Sequence, residues 1–226
     1  MQKAINVENV IDSEWKQSTY FTVLKPVLDY FIAAFLLLVT CPLFLLFCIS
    51  IKMHSPGPVF FYQERVGKFG RPFRMIKFRS MRVNADAKLH KEYMLRVIQN
   101  NISPAELGKK SLKLDDIDPR ITHVGKILRS SGLDELPQLI NVLRGEMSIV
   151  GPRPPVPYEY EIYEDWHKQR LAVLPGITGL WQVTAHNLVP FNEMVKIDIT
   201  YIQKANLWLD LKVMLLTPIE MLRKKG

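Results

Sequence analysis

The chain has 226 residues, 48% of them hydrophobic, and a formal net charge of +8. That length allows one domain with a real core, and the basic balance suits polyanionic partners: anionic headgroups, phosphorylated substrates or nucleic acid. The two cysteines, Cys41 and Cys48, lie in one apolar run and no Cys/His cluster exists, which excludes a disulfide framework and a zinc site and fits a reducing compartment.

Residues 1–24 read as an N-terminal extension of mixed polarity, and residues 25–52 as a membrane unit. From Tyr30 to Ile51 there is no charged residue, a run about long enough to cross a bilayer once as a helix. It begins too late for a signal peptide and lacks a small-residue cleavage site. Pro42 sits in its middle and predicts a kink or break at Cys41-Pro42, because proline lacks the backbone donor and clashes with the preceding turn. Thr40 is placed to help satisfy a freed carbonyl. Two arrangements follow: a kinked spanning helix, or one that enters, bends and leaves on the same side. The residues alone favour spanning, since transmembrane helices tolerate proline. Behind the run stand Lys52, Arg65, Lys68, Arg71, Arg74, Lys77, Arg79 and Arg82, opposed only by Glu64, which puts that side in the cytoplasm.

Residues 53–226 read as one cytoplasmic unit. Ser55-Pro56-Gly57-Pro58 is a turn that ends the membrane segment. Val59–Val66 and Pro72–Phe78 predict a β-hairpin around Gly67-Lys68-Phe69-Gly70. Helices are predicted over Ala85–Gln99, Thr122–Arg129, Leu136–Leu143, Tyr158–Leu174, Phe191–Lys204 and Leu207–Lys225, with a polar, irregular stretch from Asn100 to Asp118 and a rigid loop at Gly151–Pro155. The last helix carries Leu207, Trp208, Leu211, Met214 and Leu215, then Arg223, Lys224 and Lys225. That pattern suits the membrane interface, or equally a helix packed on its own core. The fold class is α+β, mostly helical.

The stretch from Arg129 to Leu139 carries the chemistry. Asp134 and Glu135 stand together at a predicted helix start. There they can be simple helix-capping acids, or an ionised nucleophile beside a metal ligand. Arg129, Arg153 and Arg79 are candidate phosphate clamps, because a guanidinium fork matches phosphate oxygens.

Beyond these single residues, motifs run nearly end to end. They include Lys25-Pro26-Val27-Leu28-Asp29, Ser55–Phe61, Gln63–Gly67, Lys77–Met81, Asp118–Thr122, Gly132–Gln138, Val150–Pro154 and Pro175–Val183. In this order the chain resembles the bacterial sugar transferase family, the monotopic polyprenyl-phosphate phosphoglycosyl transferases, over roughly residues 24–220. The resemblance implies that Asp134 attacks the sugar-proximal phosphate of a UDP-sugar, releases UMP and holds a phosphosugar that polyprenyl phosphate then takes. It implies that Glu135 binds Mg2+ and that Arg129, Arg153, Lys77 and Arg79 hold phosphates. It implies donor contacts from Gln182, Asp198 and Pro154, and a helix break at Pro42 that makes the membrane helix re-entrant on the cytoplasmic face of the bacterial inner membrane. His54 and Thr184-Ala185-His186-Asn187 depart from the family's usual Asp and Ser-Gly-Arg-Asn. Two other readings stay open. One is direct transfer, with Asp134 and Glu135 both as metal ligands. The other is a membrane-anchored module that binds polyanions such as nucleic acid. The enzyme reading has UDP-sugar, polyprenyl phosphate and membrane lipids as partners and no nucleic acid.

Overall fold

The computed structural model describes residues 19–82, 88–106, 120–185 and 188–223. Expectations for residues 1–18, 85–87, 107–119, His186-Asn187 and Lys224-Lys225 lie outside the described residues. In chain order, α1 is Lys25–His54, β1 Phe60–Val66, β2 Pro72–Phe78, α2 Lys88–Gln99, α3 His123–Ser131 and α4 Gln138–Leu143. Then follow β3 Ser148–Val150, α5 Pro157–Tyr160, β4 Gly176–Thr178, α6 Leu180–Thr184, α7 Phe191–Lys204 and α8 Leu207–Arg223.

Helix α1 follows a π-helical turn at Tyr20–Leu24 and carries Pro26 at its start, where the missing N–H has no helical partner to lose. It ends at Ser55, which is extended, as the residue before Pro56 should be. Of the kink or break expected at Pro42, there is no break: the backbone stays helical through it. Pro42 offers no N–H to the carbonyl of Leu38, and the Thr40 hydroxyl donates instead to Leu36 O at 2.6 Å. Tyr20–His54 is the one described segment long and apolar enough to cross a membrane, and an 18-residue stretch within it has mean hydropathy 2.8.

Both ends of α1 dock on the same body. At the start, Lys25 Nζ lies 2.5 Å from Asp210 of α8 and 3.7 Å from Asp29. Asp29 accepts from Ser148 Oγ at 2.6 Å and Ile149 N at 3.2 Å, while Tyr201 OH donates to Asp210 at 2.7 Å. Near the other end Phe47 and Ile51 are buried with Phe78, Val124 and Leu128. Between and around these anchors, Phe31, Phe35, Leu38, Leu46 and Ile49 are exposed. So much contiguous apolar surface does not suit water.

Strands β1 and β2 pair antiparallel from Phe60↔Phe78 to Val66↔Pro72, the hairpin expected around Gly67–Gly70. A second, parallel pair, Ser148↔Gly176 and Val150↔Thr178, has no such pattern and goes unpredicted. Its backbones cross so closely that a Cβ on Gly176 would fall 2.1 Å from Gly151 N. Helix α3 is capped by Thr122, whose Oγ1 accepts from Gly125 N at 2.9 Å. Two helix expectations are corrected. Tyr158–Leu174 is not one helix but the short α5 and a 3-10 segment at His167–Ala172. The chain turns so that Arg170 points inward to Asp198 of α7 and to Tyr163 OH. The helix predicted from Leu136 begins at Gln138, preceded by a 3-10 turn at Leu133–Glu135.

Candidate active site

The acidic pair sits in that 3-10 turn, and three contacts hold it in place. Gly132 closes α3 in the left-handed region, φ 67°, and a Cβ there would fall 1.8 Å from Met221 of α8. Asn141 of α4 is fully buried. Its Oδ1 accepts from Ile76 N at 3.0 Å, and its Nδ2 donates to Arg74 O at 2.8 Å and Glu146 Oε2 at 2.6 Å. Helix α4 is thereby fixed against β2, so that Lys77 Nζ reaches Glu135 Oε1 at 2.7 Å.

Glu135 borders an open cleft whose walls include Lys77, Gln138, Arg65, Arg153, Pro154 and Gln182. Burial pushes the Glu135 carboxyl up, but the charge and hydrogen bond of Lys77, with Arg153 and Arg65 behind, hold it below the usual carboxylate range. Asp134, one residue earlier, is half-buried and does not itself line the cleft. Burial, and then the neighbouring Glu135 charge, push it up to about 6 against the opposing pull of Lys77 and Arg129. Helix α4 is six residues long and starts beyond Asp134.

The loop Gly151–Pro155 forms another wall. It is pinned by Gly176 N to Pro152 O at 2.9 Å and by Val66 N to Pro155 O at 2.9 Å. Arg153 projects from it half-buried and, among the described residues, makes no hydrogen bond or ion pair. Arg129, in the last turn of α3, is half-buried near Asp134 and partnered. Gln182 lines the cleft with a buried Oε1 that has no hydrogen-bond donor among the described residues.

Two predicted site residues lie elsewhere. Arg79 is buried and donates to Pro56 O at 2.6 Å, Ser55 O at 2.8 Å and Ser55 Oγ at 2.6 Å. It braces the turn after α1 and does not line the cleft. Asp198 is fully buried against Arg170, in a cluster with Tyr163, Phe191 and Val195 behind the site. Sequence reading missed Arg65 and Gln138, which are 4% and 2% exposed and both line the cleft. Gln138 makes no side-chain hydrogen bond among the described residues. A buried amide with open valences is what could have marked it, and burial is invisible in sequence.

A carboxylate pair beside a basic cleft, on a body carrying one long apolar helix, is matched by a known family: the pattern of the bacterial sugar transferases covers residues 20–224. The chain belongs to the bacterial sugar transferase family. Among curated relatives, it is 44% identical over 80% of its length to a galactosyl transferase, CpsE, of Streptococcus agalactiae, spanning 38% of that protein. It is 41% identical over 84% of its length to the exopolysaccharide production protein ExoY of Sinorhizobium fredii, spanning 81% of it. It is 38% identical over 98% of its length to a UDP-glucose:undecaprenyl-phosphate glucose-1-phosphate transferase of Xanthomonas campestris, spanning 43% of it. The chain therefore spans about two fifths of the CpsE and Xanthomonas proteins and about four fifths of ExoY.

Among the described residues no three acidic, His or Cys side chains gather as a metal cage. Mg2+ does not require one, because it is commonly held by one or two carboxylates together with substrate phosphates. Glu135 fits that role: Lys77 occupies Oε1, and Oε2 has no partner among the described residues.

Proposed function

We propose that this sugar transferase moves a sugar phosphate from a UDP-sugar to polyprenyl phosphate through a phosphosugar carried on Asp134, as an early membrane step of glycan or exopolysaccharide assembly. The observation that carries the reading is the half-buried Asp134 beside the Glu135–Lys77 pair, at the edge of a cleft lined by Arg65 and Arg153. An Asp134 carboxylate oxygen attacks the sugar-proximal phosphorus. The bond from that phosphorus to the bridging oxygen breaks, and UMP leaves with the electron pair. A polyprenyl phosphate oxygen then attacks the same phosphorus and the acyl-phosphate bond breaks. The carboxylate is restored and a polyprenyl diphosphate-sugar is released. Glu135 would hold Mg2+, which supplies charge neutralisation to the diphosphate. Lys77, Arg129 and Arg153 are the cations that orient it.

The test is a donor screen on purified protein with UDP-glucose, UDP-galactose and their N-acetylated forms. UMP release should accompany at least one of them when polyprenyl phosphate and Mg2+ are present. UMP release from none of them contradicts the reaction.

The proposed topology is re-entrant, with both ends of α1 cytoplasmic. A straight 30-residue helix is about 45 Å long. A spanning helix would carry Lys25 across the bilayer, away from a cytoplasmic body. Instead Lys25 and Asp29 at one end, and Phe47 and Ile51 towards the other, are buried against the same body. The outward apolar face of α1, with Trp208 and Leu215 of α8, is what meets lipid. Cysteines introduced near Gln2 and Gly226, in a chain lacking Cys41 and Cys48, should both resist an impermeant label in intact cells. Labelling at the Gln2 site alone would show a spanning helix.

A further inference from the structure

Arg65 is a buried cation whose partners are all neutral. Its Nη1 donates to Pro154 O at 2.8 Å, and its Nε and Nη2 share Gln63 Oε1 at 3.2 and 2.8 Å. Among the described residues no carboxylate forms an ion pair with it. Glu159 and Glu135 act on it only through space, and Glu135 already holds Lys77. Beside it stands a second cation, Arg153, which also lacks an ion-pair partner. Burial, and then repulsion by Arg153, push the Arg65 guanidinium down to about 10, so it remains charged at neutral pH. A buried charge is ordinarily paired in contact, and two adjacent arginines whose acids, Glu135 and Glu159, act only through space leave room for an anion between them.

We propose that Arg65 is a phosphate-binding residue: with Arg153 it forms one anion subsite that takes the phosphate of the departing nucleoside monophosphate. The assignment rests on the reaction proposed above and adds a residue to it. The order of charges sets which phosphate is meant. Lys77 contacts Glu135, the neighbour of Asp134, at 2.7 Å, whereas Arg65 and Arg153 line the same cleft with no ion pair to either acid among the described residues. Lys77 is therefore the cation beside the nucleophile, and the two arginines stand farther along the cleft. A diphosphate laid along that line puts the attacked phosphorus by Lys77 and the other phosphate between Arg65 and Arg153. Of the five guanidinium N–H groups of Arg65, three are committed to Gln63 and Pro154. One on each terminal nitrogen remains for phosphate oxygens. Charge that builds on the leaving phosphate as its bond to the attacked phosphorus breaks is then met by a preorganised donor. The bond to Pro154 O ties the same arginine to the loop that presents Arg153, so the two cations move as a unit.

The experiment titrates UMP, uridine and inorganic pyrophosphate into the purified full chain by calorimetry, for wild type, Arg65→Lys and Arg65→Gln. Both variants should bind UMP and pyrophosphate about tenfold or more weakly, and uridine as wild type does. Unchanged affinity for both anions overturns the assignment and leaves Arg65 as a brace for the Pro154 loop. If the variants fail to fold, guanidinium-labelled wild type reads the same question by NMR. The Arg65 side-chain resonances should shift with UMP and pyrophosphate but not with uridine, and no shift with either anion overturns the proposal. Wild type that binds pyrophosphate through Arg65, yet releases no UMP from any UDP-sugar, contradicts the reaction while upholding the anion subsite.

Discussion

Asp134→Asn lowers kcat by on the order of 10³-fold or more and leaves the donor KM near its wild-type value, because an amide is a poor nucleophile that still fills the same space. The same substitution stabilises the protein at neutral pH. Burial and the Glu135 charge push the Asp134 carboxyl up to about 6 in the fold, above its ordinary 3.8. The ionised form is therefore disfavoured in the folded state, and wild type loses stability as pH rises from about 4 through about 6. Below that window the carboxyl is protonated whether folded or unfolded, and the difference vanishes. Thermal unfolding should show Asp134→Asn melting about 2–4 °C above wild type at pH 7.5 and level with it below pH 4. Wild-type kcat/KM should rise with pH through about 6, as the nucleophile loses its proton. An Asn variant with near-normal kcat, or one less stable than wild type at pH 7.5, contradicts the role assigned to this residue.

Glu135→Gln raises the Mg2+ concentration for half-maximal rate by about tenfold or more, with a smaller effect on polyprenyl phosphate KM. Lys77, with Arg153 and Arg65 behind it, keeps Glu135 ionised throughout the working range, so the substitution removes a real negative charge. It also frees Lys77, which then lies as an uncompensated cation nearer Asp134. Initial rates across a Mg2+ titration check the prediction. An unchanged half-activating concentration, or full wild-type activity in excess chelator, contradicts a metal at Glu135.

Parts of this fold were legible before any coordinates. The hairpin follows from two strand-forming runs on either side of a Gly-Lys-Phe-Gly turn, and α7 falls at the predicted Phe191–Lys204 because its apolar positions recur at helical spacing. The acidic pair and Arg153 stood out because adjacent carboxylates and a proline-framed arginine are uncommon local patterns. The β3–β4 pair was not legible. Its strands are three residues each, and what permits them is the close crossing of Gly151 and Gly176, a contact between distant segments. The helix over Tyr158–Leu174 failed because helical periodicity there is overridden by the inward turn of Arg170 towards Asp198. The arginines show the limit most clearly. Arg79, Arg153 and Arg65 look alike in sequence, yet one braces a turn, one projects from a loop with no hydrogen bond among the described residues, and one is buried among neutral hydrogen-bond partners in the cleft. Partner and burial decide their roles, and both are properties of tertiary structure.

The measurement that bears most directly on the covalent account is intact-mass analysis of the protein, quenched after mixing with UDP-sugar and Mg2+ in the absence of acceptor. The account predicts one added sugar phosphate per chain, matched by one released UMP. The adduct should disappear when polyprenyl phosphate is supplied and should be absent in Asp134→Asn. UMP that appears only when acceptor is present, with no mass adduct at any time, would show direct transfer and contradict a phosphosugar on Asp134.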